Sequence, residues 1–158
     1  MARKSRFNNM HQSTVITNFE CLCGIYSRLS VEDGDDEEQN SIGNQKKIVL
    51  DFLKDHPEIK VVDFYSDNGY TGMNYNRPDF KRMINDLGSG LINCVIIKDI
   101  SRLGRHFILT SEYVESIFPE MNVRLISVND DYDSSNEEAD STALTLPLKM
   151  VMNDYYVK

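Results

Sequence analysis

The sequence predicts an α/β domain built on a mainly parallel sheet. Three observations carry this prediction. Apolar runs of strand length alternate along the chain with segments whose apolar residues recur at helical spacing. One strand run, "NCVIIKD", is nearly all apolar and so is covered on both faces, as in parallel sheets. No internal repeat and no Pro/Gly/Ser-rich linker divides the 158 residues, which suit one domain with one core.

Residues 1–20 carry early basic residues but lack the apolar stretch of a secretory signal, and are read as a flexible extension. Residues 22–28, "LCGIYSR", read as the first strand. "SIGNQKKIVLDFLKDHP" places Ile42, Gln45, Ile48, Val49, Phe52 and Leu53 at helical spacing, with Ser41 as N-cap and Pro57 beyond the end. "IKVVDFYS" is the second strand. "RPDFKRMINDLGSG" is a short helix with Pro78 in its first turn, Phe80, Met83, Ile84 and Leu87 on one face, and Gly88 as the stop. "NCVIIKD" is the third strand. Residues 106–118 are expected to form one helix with Phe107, Val114, Ile117 and Phe118 inward. "VRLISVN" is the fourth strand. "STALTLPLKMVMNDYYVK" begins a further helix, and residues 21–140 are taken as the domain proper.

The net charge of -8 argues against a nucleic-acid partner until its distribution is considered. Of the 25 acids, six lie in "EDGDDEE" (32–38) and six in "DDYDSSNEEAD" (130–140), which leaves 13 acids against 17 bases elsewhere. Both runs read as solvated loops rather than metal sites, because metal carboxylates usually arrive singly from strand ends. Cys21, Cys23 and Cys94 lie in strand-like runs, an odd count that suits reduced, buried thiols and an intracellular protein. The Cys-x-Cys pair lacks the further ligands that structural zinc requires. No apolar stretch approaches the roughly 20 residues of a membrane span.

Ligands of such sheets bind outside the carboxyl ends of the strands. Strand one ends in "IYSRLS", where alternation would put Arg28 and Ser30 on one face. A strand simply leaving the core would also explain polar residues there. The loop after strand two carries Arg77, and "KDISRLGR" after strand three carries Arg102 and Arg105. One serine and four arginines thus converge on one edge, and arginine is a poor core residue unless paired. A planar guanidinium binds phosphate oxygens through two charge-assisted hydrogen bonds, and a serine among several of them is a candidate nucleophile. The chain has neither a G-x-S-x-G elbow nor a phosphate-binding G-x-x-x-x-G-K-[ST] loop. His11, His56 and His106 form no triad. The residues alone leave two readings: metal-independent phosphoryl transfer through a phosphoserine, or anion binding without chemistry. A third, a metal-dependent nuclease or phosphatase, would use the acidic loops.

"YSRLS", "SIGNQ", "DNGYTGMNYNRPDF" and "KDISRLGR", in this order, resemble the catalytic domain of serine site-specific recombinases, most closely the large recombinases of conjugative-transposon type. "VRLISVNDDYDS" and "LPLKMVMNDYY" fit the same branch. The resemblance implies a resolvase-like three-layer domain with a mainly parallel central sheet of four to five strands flanked by helices. It implies that Ser30 attacks a DNA phosphodiester to give a 5'-phosphoserine and a free 3'-hydroxyl, without metal or nucleotide cofactor. The family's active-site arginines fall on Arg28, Arg77, Arg102 and Arg105, and its glutamine on Gln45. Its partners would be DNA and further copies of the chain, as dimer and synaptic tetramer, with no membrane, in a bacterial cytoplasm at the nucleoid. Residues 141–158 would begin a truncated oligomerisation helix, with DNA-binding domains beyond it. Resolvases and invertases carry an aspartate immediately before Arg-Leu-Gly-Arg. Here Ser101 holds that position, and an extended segment would let Asp99, on the same face, supply the carboxylate.

Overall fold

The computed structural model describes residues 20–29, 41–68, 77–104 and 106–136. Five strands form one sheet in the order β2-β1-β3-β4-β5: β1 (Cys21–Arg28), β2 (Ile59–Asp67), β3 (Cys94–Ile97), β4 (Arg124–Ser127) and β5 (Tyr132–Asp133). The first four are mutually parallel, and β5 runs antiparallel to β4. Helix α1 (Ile42–Leu53) joins β1 to β2, and α2 (Pro78–Ser89) crosses from β2 to β3. The strand order reverses between β1 and β3, the place where sheets of this kind receive ligands.

The sheet is covered on both faces. On one, Val49, Phe52 and Leu53 of α1 pack on Cys23, Ile25, Cys94 and Ile96. On the other, Phe80, Met83 and Leu87 of α2 pack with Tyr26, Tyr65, Val95 and Phe118. Met83 is fully buried, and truncating a side chain of this kind to alanine costs about 2–5 kcal/mol. Gly24 is required where β1 is crowded: a β-carbon there would lie 2.6 Å from Tyr65 Cε2 and 2.8 Å from Ile92 Cδ1. The expected three-layer α/β architecture is thus present.

Local chemistry explains the element boundaries. The Ser41 hydroxyl accepts the Asn44 N–H at 3.1 Å and starts α1, as its sequence predicts. Helix α2 begins at Pro78 and runs on through Gly88. Its stop is Gly90, whose left-handed φ of 79° closes the helix onto the Asp86 and Leu87 carbonyls. In β2 the register jumps from Cys23↔Val61 to Gly24↔Asp63, leaving Val62 as a bulge. Ile59 and Val61 therefore face α1, whereas Tyr65 joins the core beneath α2. The same flip carries Asp67 to the α2 side.

Three expectations need correction. The first is the helix stop at Gly88, which Gly90 provides instead. The helix expected over 106–118 is present as α3 (residues 107–120), widened by a π-helical turn at Tyr113–Ile117. Across the wide turn the Phe118 N–H reaches the Tyr113 carbonyl, five residues back. Pro119 follows at once, and it can neither donate a helical hydrogen bond nor tolerate a tight preceding turn. Phe118 is buried and Val114 and Ile117 pack against the core; the Phe107 side chain lies outside the described residues. Second, the run after β4 is not simply a solvated loop. It contributes β5, and Arg124 holds Asp133 at 2.6 and 3.0 Å. Third, residues 98–104 are not extended: Ile100–Arg102 form a 3-10 turn capped by Asp99. The acidic run 32–38 and residues 141–158 lie outside the described residues.

Candidate active site

At the switch point, three arginines from separate segments meet. Arg28 ends β1, Arg77 immediately precedes α2, and Arg102 closes the 3-10 turn after β3. Arg28 donates from Nε to the Arg102 carbonyl at 3.2 Å and from Nη2 to the Ser101 carbonyl at 2.8 Å. Arg77 donates from Nη1 to the Arg102 carbonyl at 3.2 Å and from Nη2 to the Leu103 carbonyl at 2.5 Å. Arg102 donates from Nη1 to the Arg28 carbonyl at 2.8 Å. Residues 101–103 thus hold two guanidinium groups through their carbonyl oxygens and supply the third.

All three side chains are buried, Arg28 and Arg77 completely. Arginine is a poor core residue unless paired, and these three are paired. A buried guanidinium is tolerated when charge-assisted hydrogen bonds replace its hydration. Aromatic faces add to this, since the Arg77 guanidinium lies 4.4 Å from the Phe80 ring centre.

Gln45 completes the end of β1. Its Nε2 donates to the Arg28 carbonyl at 3.0 Å and its Oε1 accepts the Arg28 N–H at 3.1 Å. The next amide, Leu29 N–H, goes to the Asp67 carbonyl of β2. Because successive residues of a strand direct their amides to opposite edges, Gln45 serves the edge toward β3, whose pairing with β1 ends at Ile25↔Ile96. A side-chain amide takes the place of a strand neighbour that has turned away.

Asp99 has its Oδ1 shared by the Ser101 N–H at 3.1 Å, the Ser101 hydroxyl and, at 3.4 Å, Arg102 Nε. Ser101 Oγ accepts from Arg102 Nη2 at 3.1 Å. Asp99 therefore touches Arg102 both directly and through the hydroxyl. Ser30 and Arg105 lie outside the described residues.

Sequence reasoning missed two members of this network. Tyr26 donates its hydroxyl proton to Asp67 Oδ2 at 2.8 Å and accepts from Arg77 Nη1 at 3.0 Å. Asp67 also accepts the Asp79 and Phe80 amides, each at 3.0 Å, so it caps α2 where Arg77 offers no side-chain cap. Burial pushes the Tyr26 phenol well above its ordinary pKa; the Asp67 carboxylate adds to this, while Arg77 and Arg28 oppose it. Two signals were present: Tyr26 stands two residues before Arg28 on the same strand face, and Asp67 ends β2.

Among the described residues, no three His, Cys, Asp or Glu side chains are grouped so as to hold a metal ion. His106 caps α3, accepting the Leu109 N–H at 3.4 Å. His56 stacks on Phe52 and pairs with Glu58. Cys21, Cys23 and Cys94 are free thiols. A cleft of about 420 Å³ opens at the opposite end of the strands, beside Cys21, Asn93 and Arg124. None of the arginine network lines it. Among the described residues no helix is long and apolar enough to cross a membrane.

Comparison with known proteins bears on this arrangement. The family described as "Resolvase, N terminal domain" matches residues 23–155. A protein of Bacillus subtilis (strain 168) named "Putative DNA recombinase" is 30% identical over 116 residues, 73% of this chain and 22% of that protein. The chain spans about a fifth of the length of this curated relative. Among solved structures, the N-terminal catalytic domain of TP901-1 integrase is similar with a TM-score of 0.68 and 25% identity, over 87% of this chain and 98% of that one. A resolvase family site-specific recombinase from Streptococcus pneumoniae shares the fold, with a TM-score of 0.62 and 23% identity over 86% of this chain and 91% of its own.

Proposed function

The chain belongs to the resolvase family of site-specific serine recombinases, over its catalytic domain, and we propose that it cleaves and rejoins DNA by phosphoryl transfer through Ser30. The observation that carries this reading is the meeting of Arg28, Arg77 and Arg102 at the switch point, with Arg28 two residues before Ser30 in the chain.

The Ser30 oxygen attacks the phosphorus of a DNA phosphodiester and loses its proton. The bond to the 3'-oxygen breaks, and that oxygen leaves as a 3'-hydroxyl. A 5'-phosphoserine remains. Attack by a 3'-hydroxyl on this linkage reseals the strand and frees Ser30, so the energy of the original bond is kept throughout. The pentacoordinate transition state carries extra negative charge on the phosphoryl oxygens. Fixed positive charges close to the reacting phosphoryl group stabilise such charge. Arg28, Arg77, Arg102 and Arg105 are assigned that role. Gln45 positions the end of β1 that leads into Ser30, and Asp99 orients Arg102. DNA is the substrate, and dimers pairing into tetramers would bring four cleaved strands together for exchange.

The test is to trap the intermediate. The intact protein would be incubated, in the presence of EDTA, with duplex DNA carrying its own recombination site and a nick that lets the cleaved end diffuse away. The expected product is a denaturant-stable protein–DNA species that mass spectrometry maps to Ser30. An adduct on another residue, or cleavage that needs a divalent ion and leaves no adduct, overturns the reading.

A further inference from the structure

The loop after β4 holds the turn that supplies Arg102. The N–H of Ile100, first residue of the 3-10 turn, donates to Asp130 Oδ2 at 2.8 Å, and the Ser127 hydroxyl donates to the same oxygen at 2.7 Å. Two backbone bonds precede this one: Val128 N–H to the Ile97 carbonyl at 3.0 Å, and Asn129 N–H to the Lys98 carbonyl at 2.7 Å. The β3–β4 ladder therefore continues past the last paired residues, Ile97 and Ser127, and its final rung is the Asp130 side chain. The following residue, Asp131, adopts a left-handed φ of 51°, which turns the chain back into β5.

We propose that Asp130 is a positioning residue for Arg102: its carboxylate fixes the first amide of the turn whose carbonyls and guanidinium form the arginine network. The assignment rests on the recombinase reading for its catalytic consequence, but its structural part stands independently. Ile100 is buried, so water cannot readily replace Asp130 as partner to its N–H. Asp99 does not compensate, because it caps the turn through the Ser101 amide. Asp130 and Asp99 thus hold successive amides of one turn, from beyond the ends of the neighbouring strands β4 and β3. A shift of the turn moves the Ser101 and Arg102 carbonyls, to which Arg28 and Arg77 are bonded, together with the Arg102 guanidinium itself.

Two variants of the intact protein test this. Asp130→Ala removes the acceptor. Asp130→Asn keeps a carbonyl oxygen that can accept from both Ile100 and Ser127 while losing the charge. Amide hydrogen exchange gives the readout that does not depend on activity. In Asp130→Ala, protection should fall at Ile100, Arg102 and Leu103 and persist at Val95 and Ile96 of β3. Asp130→Asn should restore it. Single-turnover cleavage of site DNA gives the second readout. The rate should fall about 10–10²-fold in Asp130→Ala with DNA affinity unchanged, and recover in Asp130→Asn, because displacing a transition-state donor by about 1 Å has costs of this order. Unchanged exchange at Ile100–Leu103 in Asp130→Ala overturns the proposal whatever the activity. Lost protection with a wild-type cleavage rate overturns the link to Arg102. If the wild-type protein forms no Ser30 adduct, the recombinase reading fails, and exchange alone decides whether Asp130 holds the turn.

Discussion

Arg28 and Arg102 bind each other's backbone: Arg102 Nη1 donates to the Arg28 carbonyl at 2.8 Å, and Arg28 Nε donates to the Arg102 carbonyl at 3.2 Å. Each residue is both ligand and scaffold for the other, 74 residues apart in the chain. Lysine offers a charge but no planar fork, so it cannot keep such paired contacts. Arg102→Lys should therefore lower single-turnover cleavage by about 10²–10³-fold, the usual cost of losing one transition-state donor. It should also lower the unfolding free energy by about 1–3 kcal/mol, since the Arg28 carbonyl loses its charged donor and keeps the neutral Gln45. A lysine variant that cleaves at the wild-type rate would remove Arg102 from the proposed clamp.

Ser30 follows the buried end of β1 by two residues, and the proposed chemistry needs its hydroxyl alone. Ser30→Ala should leave the melting temperature within a few degrees of wild type, because it removes one oxygen atom and no charge. No covalent DNA adduct should form. Persistence of the adduct in Ser30→Ala would sink the assignment of the nucleophile.

The architecture was legible because periodicity reports burial. Strand β3 is apolar throughout and is buried throughout. Ser41, Pro78 and the face of Phe80, Met83 and Leu87 announced the ends and inner surface of two helices. Arg28, Arg77, Arg102 and Gln45 were named from the sequence, and the fold brings them together. What stayed hidden depends on partners distant in the chain. Tyr26 reads as an ordinary core aromatic until Asp67 and Arg77 are placed beside its hydroxyl. Asp67 reads as loop because the bulge at Val62 that turns it toward α2 leaves no periodic trace. Asp130 and Asp133 were absorbed into a charge run, although one holds the Ile100 amide and the other pairs with Arg124. Composition cannot separate a solvated carboxylate from one with a fixed partner.

The raised pKa of Tyr26 gives an alkaline test. Burial keeps the folded phenol protonated past the pH near 10 at which an unfolded tyrosine ionises. Its contribution to stability is complete below about pH 10 and falls as pH rises above that. Tyr65 behaves in the same sense, through burial and its bond to Asp86. Tyr26→Phe should be less stable than wild type by about 1–3 kcal/mol near neutral pH, because Asp67 and Arg77 lose a buried partner. Its stability should then decline less steeply between about pH 10 and 11. Urea unfolding across this range measures both, and parallel curves for the two proteins would contradict the account.

Asp133 supplies the acid counterpart. Burial alone would raise its pKa, but hydrogen bonds from Arg124 and Ser135 hold it below the usual carboxylate value. Its stabilising effect is present above the unfolded pKa near 3.9 and is lost as pH falls through the lower folded value. The pair is partly exposed, so Asp133→Asn should cost no more than about 1 kcal/mol near neutral pH. The difference from wild type should shrink below about pH 4 and vanish at lower pH. A difference independent of pH would mean that Asp133 acts through packing rather than charge.

Asp99 and Ser101 divide between them the task of presenting a carboxylate to Arg102. Asp99 Oδ1 receives the Ser101 amide and hydroxyl, and it lies 3.4 Å from Arg102 Nε, a long contact. Ser101 Oγ lies closer to the guanidinium, 3.1 Å from Nη2. Because the hydroxyl donates to Asp99, its lone pairs accept from Arg102, and the carboxylate polarises it. Three variants separate this polarisation from simple packing. Ser101→Ala should reduce single-turnover cleavage, since it removes the closer acceptor and leaves the long contact. Asp99→Asn should reduce it further, by about 10–10²-fold, because Arg102 then has no carboxylate in the turn and loses its orientation. Adding Ser101→Asp to Asp99→Asn returns a carboxylate to the turn at the position nearer the guanidinium. The double variant should regain most of the lost rate, and its coupling energy in a double-mutant cycle should exceed about 0.5 kcal/mol. If the double variant cleaves no faster than Asp99→Asn alone, the carboxylate acts from position 99 for some reason other than Arg102. If Asp99→Asn cleaves like wild type, the turn needs no carboxylate for the chemistry, and Asp99 serves only as the cap of the 3-10 turn.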